Sequence, residues 1–284
     1  MSMMRSGRRA KRALNRVLLY LALILVTLII FFPIFWMITI SLRPIREVLS
    51  LPPRLVPRTF TFEGYRDVIG QARNIRAFSN SVIVCLSVTT ICIALASLAG
   101  YGFSRFIFKG KQATSYFLLI TQMLPSILLV LPYFLLVSAL KLYDTYLALI
   151  IAYTSFSLPF SMLMLRSFFD AVPVQLDESA MIDGCTRLGA LMRVVLPVST
   201  QALIATAAFC FIGAWTELLF AVVLTKSASM LLFTTAVAYY IGEFLRNWNS
   251  MMAISILGSV PLVVMWILLQ KYIVAGLTSG ALKY

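Results

Sequence analysis

Long unbroken apolar runs, rather than alternation, dominate the chain. Six stretches stand out, at about 17–40, 80–102, 114–139, 146–165, 201–224 and 252–270. A hydrocarbon core about 30 Å thick needs roughly 20 apolar residues in a helix to span it. Hydrocarbon offers no partner to a free backbone N–H or C=O, so such runs are helices or strands of a closed barrel. Barrel strands alternate over about ten residues, and these runs do not. The pattern predicts an all-α polytopic membrane protein with six transmembrane helices, forming a single domain over 1–284. Pro33, Pro125, Pro132, Pro159 and Pro261 fall inside the predicted spans. Each removes a backbone donor and favours a kink, which serves either irregular packing or a translocation path.

The polar stretch at about 166–200, between spans four and five, is too long for a turn. It predicts two short helices joined by a sharp bend. Pro173 suits a first helical position, and Gly184 a left-handed end to the first helix after Ile182. Thr186 suits the cap of the second helix. Leu188, Leu191, Met192 and Val195 follow at offsets of three, four and seven, one apolar face of a helix. Such a stripe fits a partner's groove, or lies on the bilayer or on its own bundle.

Composition supports the membrane assignment: 61% of residues are hydrophobic and 12% charged, where a soluble domain carries about a quarter. The formal charge is +14 with no histidine. Long apolar spans interrupt the basic residues, which argues against a nucleic-acid binder and for orientation in the membrane. Arg5, Arg8, Arg9, Lys11, Arg12 and Arg16 precede the first run, which is too long for a signal core and is expected to stay as an uncleaved span. A cytoplasmic basic start and six spans place both termini in the cytoplasm of a plasma membrane, with Lys271 and Lys283 on the same side. The loop 41–79 then faces outward despite seven arginines, and long loops obey the charge rule weakly. Leu51-Pro52-Pro53 and Pro57 give that loop a stiff, extended start, followed by Phe60, Phe62 and Tyr65. Cys85, Cys92, Cys185 and Cys210 form no disulfide pattern and read as reduced structural thiols. No Gly-x-x-x-x-Gly-Lys-Ser/Thr occurs, and without histidine the common general base is missing.

Glu178-Ser179-Ala180, then three residues, Gly184, nine residues and Val194-Val195-Leu196-Pro197 closely resembles the cytoplasmic signature of binding-protein-dependent ABC importer permeases. In that family the pattern is Glu-Ala-Ala, three residues, Gly, nine residues, Ile-x-Leu-Pro. Asp183 also matches, and Ser179 and Val194 depart conservatively. The likeness extends over nearly the whole chain and looks most like the carbohydrate-uptake branch, the smaller permease of maltose and trehalose type systems. Ser79-Asn80-Ser81, the run from Ala99 to Arg105, the run from Leu140 to Tyr146 and the ending from Val274 to Lys283 carry it further. Trp215-Thr216-Glu217 departs, where relatives often have Trp-Asn-Glu or Trp-Asn-Asp.

The resemblance implies a coupling helix that docks in a cleft of an ATPase subunit. Glu178, Ser179, Ala180, Asp183, Gly184 and Pro197 would form that element, and Leu188, Leu191 and Met192 its apolar contact. It implies as partners a second permease, two ATPase subunits or domains, and an external solute-binding protein. ATP and Mg would be bound by the ATPase, and no cofactor by this chain. Gln122, Tyr153, Phe156, Phe211, Trp215 and Glu217 are candidates for a sugar pathway, as aromatic platforms and hydrogen-bonding groups, with ordinary bundle packing as the competing role. A glycerol phosphate ester is an alternative solute. An ion-coupled transporter is a rival class, with Glu217 as its one clear acidic candidate inside a span.

Overall fold

A computed structural model describes residues 2–50, 52, 54–242 and 247–279. Leu51, Pro53, the last residues of the 274–283 motif and Lys283 lie outside them. The described residues are helical without a strand. Among the described residues four helices are long and apolar enough to cross a membrane, and the number reaches six if each of two sharply bent pairs, Lys111–Met123 with Ser126–Ala139 and Arg187–Val198 with Thr200–Thr216, is one span.

Packing divides the chain into two compact units: Met1–Gly70 with Tyr240–Leu257, and Gln71–Tyr239 with Gly258–Tyr284. In the first, α1 (Ser2–Ser41) runs without a break through Pro33. Its spanning part, Leu14–Ser41, has none of its most apolar window buried. A helix apolar on all sides is suited to lipid or to another chain. The loop that follows holds α2 (Ile45–Val48) and α3 (Glu63–Gly70). Buried Arg43 orders it, lying 5.2 Å above the Trp36 ring and donating to the Leu55 carbonyl at 3.0 Å. The Glu47 carboxylate accepts the Arg58 backbone N–H at 2.7 Å. A Cβ on Gly64 would lie 2.8 Å from the Asn249 carbonyl, so only glycine allows this approach.

The second unit is built around α4 (Ala72–Arg105), which packs against α7 (Tyr146–Phe169). Small residues bring the two backbones together: a Cβ on Gly100 would sit 3.1 Å from the Arg166 nitrogen and 3.2 Å from the Met162 carbonyl. Close approach over small residues is how helices associate in lipid. Cys92 on α4 and Cys210 on α11 (Thr200–Thr216) meet Ser161 of α7 in this contact.

Two predicted spans are interrupted. The stretch 114–139 is α5 (Lys111–Met123) and α6 (Ser126–Ala139), bent by 98°. Pro125 drives Leu124 out of the helical region, to ψ 127°. Pro132, Pro159 and Pro261 stay inside continuous helices. The stretch 201–224 is α11 and a short helix over Leu219–Leu224, parted at extended Glu217 (φ −70°, ψ 126°). Between spans four and five lie α8 (Val174–Ile182) and α9 (Arg187–Ala190). A five-residue π-turn, Leu191–Val195, and α10 (Leu196–Val198) continue α9. The remaining helices, α12 (the Leu219–Leu224 helix), α13 (Phe233–Gly242) and α14 (Trp248–Ser279), complete the chain.

Candidate functional site

The segment 173–199 follows its local chemistry closely. Pro173 precedes the first helical residue by one position, with ψ 132°. The first helix ends at Gly184, which has φ +87°. The Gly184 N–H bonds the Met181 carbonyl at 3.1 Å and the Cys185 N–H bonds the Ala180 carbonyl at 2.9 Å, the paired bonds of a Schellman ending. The Thr186 hydroxyl accepts the Gly189 N–H at 3.1 Å and caps the second helix.

The expected docking residues divide into two sets. Glu178, Ser179, Asp183, Gly184, Leu188, Met192 and Pro197 are exposed. Ala180 and Leu191 are buried, and Leu191 joins Val195, Tyr101, Leu165 and Phe169 in the bundle's own core. The expectation that Leu191 lies with Leu188 and Met192 in an outward apolar stripe is therefore corrected. Leu191 directly follows buried Ala190 on the inward side of the helix, and Val195 at the end of the π-turn faces the same way, while Leu188 and Met192 stand outward. Ile182, 86% exposed, takes the outward place and was missed in the sequence. It directly precedes the bend, outside any apolar period.

Asp177 was also missed. It is 3% exposed and pairs with Arg105, the last residue of α4. The Arg105 guanidinium also donates to the carbonyls of Phe169 at 2.9 Å and Val172 at 3.0 Å. Nearby, Arg166 donates to the Ser115 hydroxyl at 2.8 Å, and the Arg187 guanidinium lies 4.9 Å over the Phe106 ring.

Two turns inside its amino end, α4 is tied by neutral groups. The Asn80 amide donates to the carbonyls of Ser229 and Leu231, both at 2.8 Å, and accepts the Tyr146 hydroxyl at 2.7 Å. Beside it, Asp144 holds a left-handed backbone (φ 61°) and accepts the Lys226 N–H at 2.8 Å and the Ser227 N–H at 3.1 Å. Burial pushes its carboxyl up, but these N–H groups, the Ser227 hydroxyl and the Lys226 charge outweigh burial and hold it below the ordinary aspartate value.

A cavity of about 360 Å³ opens where the broken helices meet α7. Gln122 and Ser126 flank the α5–α6 break, and Tyr153, Phe156, Ser157 and Phe160 come from α7. Phe209, Gly213 and Glu217 stand at intervals of four on the facing helix, with Phe220 beyond the break. The rings are in contact, Phe160 with Phe209 at 4.4 Å and Phe156 with Phe220 at 4.9 Å. Gln122 donates to the Phe156 carbonyl at 3.2 Å. The Glu217 carboxylate accepts the N–H groups of Phe220 at 3.1 Å and Ala221 at 3.3 Å, which fills the donors freed where α12 begins. The Tyr153 hydroxyl is buried and directed toward the Glu217 carboxylate.

Phe211 and Trp215 are not in this wall, which corrects their expected place on a solute path. Two residues past Phe209 and Gly213, they lie on the opposite side of α11. Trp215 is 4% exposed, donates its indole N–H to the Gly258 carbonyl at 3.0 Å, and stacks between Phe211 and Phe233. Thr216 bonds back to the Ile212 carbonyl of its own helix.

Residues 92–279 match the family model described as "Binding-protein-dependent transport system inner membrane component". The chain is 38% identical to the trehalose/maltose transport system permease protein MalG of Thermococcus litoralis, covering 96% of this chain and 99% of that one. It is 34% identical to the inner membrane ABC transporter permease protein YcjP of Escherichia coli (96% and 98% covered). It is 35% identical to the trehalose transport system permease protein SugB of Mycobacterium tuberculosis (88% and 92%). A solved bacterial ABC transporter involved in import of the acidic polysaccharide alginate shares the fold, with a TM-score of 0.81 over 92% of this chain and 96% of that one at 19% identity. A family match over most of the length, on an all-helical permease fold, leads to one conclusion: this chain belongs to the inner-membrane components of binding-protein-dependent transport systems.

Proposed function

We propose that this chain forms half of the translocation pathway of an ATP-binding-cassette importer for a neutral sugar or oligosaccharide. The segment 173–199 docks on the ATPase, with Gly184 setting the angle between its two helices. Glu178, Ser179, Asp183, Ile182, Leu188, Met192 and Pro197 form the contact surface, and Ala180 and Leu191 root it in the bundle. The second permease, two ATPase subunits or domains, and an external binding protein complete the assembly. ATP and Mg are bound by the ATPase. Both termini are cytoplasmic in a bacterial or archaeal plasma membrane, with 41–79 outside. The family to which the chain belongs leaves no role for an ion-coupled transporter.

The solute class rests on one observation above all. The cavity has aromatic walls, amide and hydroxyl groups and one carboxylate, and no Lys or Arg among its described lining residues. Aromatic faces and uncharged polar groups suit a sugar ring. A phosphate ester calls for cationic partners, and beside Glu217 it meets like charge. The names of the trehalose and maltose relatives agree with this choice. The test reconstitutes the four-component assembly in vesicles and follows ATP hydrolysis with maltose, trehalose or glycerol 3-phosphate added with the binding protein. Stimulation by a disaccharide is expected. Stimulation by glycerol 3-phosphate alone overturns the solute class, and hydrolysis by the isolated chain overturns the assembly.

A further inference from the structure

We propose that Arg105 is the positioning residue that makes α4 and the segment 173–199 move as one body; this rests on the proposed docking of that segment on the ATPase. Arg105 ends the 34-residue α4, and its side chain is 5% exposed. A guanidinium taken out of water requires partners for its fork of donors. Its Nε donates to the Asp177 carboxylate of α8, its Nη1 to the Phe169 carbonyl at 2.9 Å and its Nη2 to the Val172 carbonyl at 3.0 Å. The Phe169 carbonyl ends α7, where the helix dipole favours a cation, and the Val172 carbonyl lies in the turn that follows. Nη1 also meets the Ser104 hydroxyl at 3.1 Å, and the guanidinium lies 6.0 Å from the Tyr101 ring. One side chain therefore joins the ends of three elements.

The placement of Asp177 gives this knot its direction. Asp177 is buried, and the next residue, Glu178, is exposed on the proposed docking surface. A force on the tip of α8 meets Arg105 with no flexible link between. Twenty-five residues before Arg105, two turns inside its amino end, α4 is held again, by the two carbonyl bonds of Asn80. The 25 residue steps from Asn80 to Arg105 span about 38 Å of helix, more than a hydrocarbon core of about 30 Å, so α4 carries a displacement from one face of the bilayer to the other. Lysine keeps the charge but holds its three donors on one nitrogen, so it lacks the reach with which three guanidinium nitrogens meet the carboxylate and the two separate carbonyls.

The test uses the assembled complex of full-length chain, second permease and ATPase in lipid nanodiscs. Spin labels are placed at Ser79→Cys on α4 and Val174→Cys on α8, with the four native cysteines replaced. Distances are measured without nucleotide and after trapping with ATP, Mg and vanadate. In the parent the distance is expected to stay the same in both states. In Arg105→Gln it is expected to shift by about 2 Å or more on trapping, the scale of a helix displacement. Arg105→Lys is expected to shift less. A residue that only stabilised the fold would lower the yield of complex without making the distance depend on nucleotide. Should Arg105→Gln fail to assemble, Asp177→Asn, which keeps shape and loses the ion pair, is measured in its place. A nucleotide-independent distance in the variant, or a nucleotide-dependent one in the parent, overturns the proposal. Docking is judged separately. If Glu178→Lys and Gly184→Val leave ATPase capture and hydrolysis unchanged, the docking surface is wrong, whatever the labels report.

Discussion

Two interruptions in the second unit use similar chemistry for different ends. At the bend 182–186 the backbone turns through a left-handed glycine, its freed carbonyls are closed by local N–H groups, and the neighbouring carboxylates Glu178 and Asp183 stay exposed. At the break 217–218 no glycine is used. The Glu217 carboxylate fills the donors itself and is half-buried beside a cavity. The first break leaves charge free for a partner, and the second spends its charge on its own backbone. An acidic residue within a span is therefore insufficient grounds for ion coupling, because a broken helix in hydrocarbon needs an acceptor there.

The largest effect should come from the first break. Gly184→Val places a β-branched residue at φ +87°, where the strain is in the backbone and not in a clash, since nothing lies within 4 Å of the added Cβ. Glu178→Lys reverses charge on the exposed tip. Each should lower uptake by about tenfold or more while the two permeases still copurify. Normal uptake and solute-stimulated hydrolysis in both variants would remove the contrast between the breaks.

At Trp215, the same helix tests packing against pathway. Trp215→Ala should destabilise the chain by about 3 kcal/mol. Trp215→Phe, which loses the bond to Gly258 and part of the buried ring, should cost less, about 1–2 kcal/mol. Thermal unfolding in detergent measures both. Uptake per assembled complex should remain close to the parent's, and a selective loss of uptake with normal stability would return Trp215 to the pathway.

Glu217→Ala removes the acceptor at the second break and should cost about 1–2 kcal/mol, as for other lost caps. Glu217→Gln keeps an oxygen at the same place and should recover part of the loss. If the two variants unfold at the same temperature, the carboxylate is not the cap that its distances indicate.

The smallest effect concerns Asp144, which also accepts backbone N–H groups but outside the spans. Its folded-state pKa is depressed, so its stabilisation is present above the ordinary aspartate value of 3.8 and is lost as pH falls through the lower folded value. Asp144→Asn should cost about 1 kcal/mol near neutral pH. The gap in unfolding temperature should narrow as pH falls below that ordinary value. A gap independent of pH would show that shape, and not charge, holds the loop.

The sequence was most legible where local rules decide. Gly184, Thr186 and the end of α8 at Ile182 follow from backbone preference and capping, and those depend on a few neighbouring residues. It was less legible where distant segments meet. Nothing in the spacing pairs Arg105 with Asp177, 72 positions apart, because a buried partner and an exposed cation look alike in a row of letters. The break at Glu217 hid inside a continuous apolar run, and hydropathy cannot distinguish one long helix from two joined by an extended residue. Four of the six solute candidates, Gln122, Tyr153, Phe156 and Glu217, do line one cavity. Phe211 and Trp215 were chosen for their chemistry, and their place on the helix, two residues off the cavity face, decided otherwise.

The first unit has a consequence for biosynthesis. Arg43 orders the loop after α1, but its backbone carbonyl receives the Asn249 amide from 206 residues further on. Gly64, too, closes against Asn249. A ribosome adding about 5–20 residues per second supplies that partner roughly 10–40 s after Arg43 emerges. The spanning part of α1 is apolar on every side and enters the bilayer without waiting for a neighbour. The loop behind it cannot complete its packing until the last span begins to be made, so a chain truncated before Asn249 is expected to insert normally and to leave this loop open to added protease.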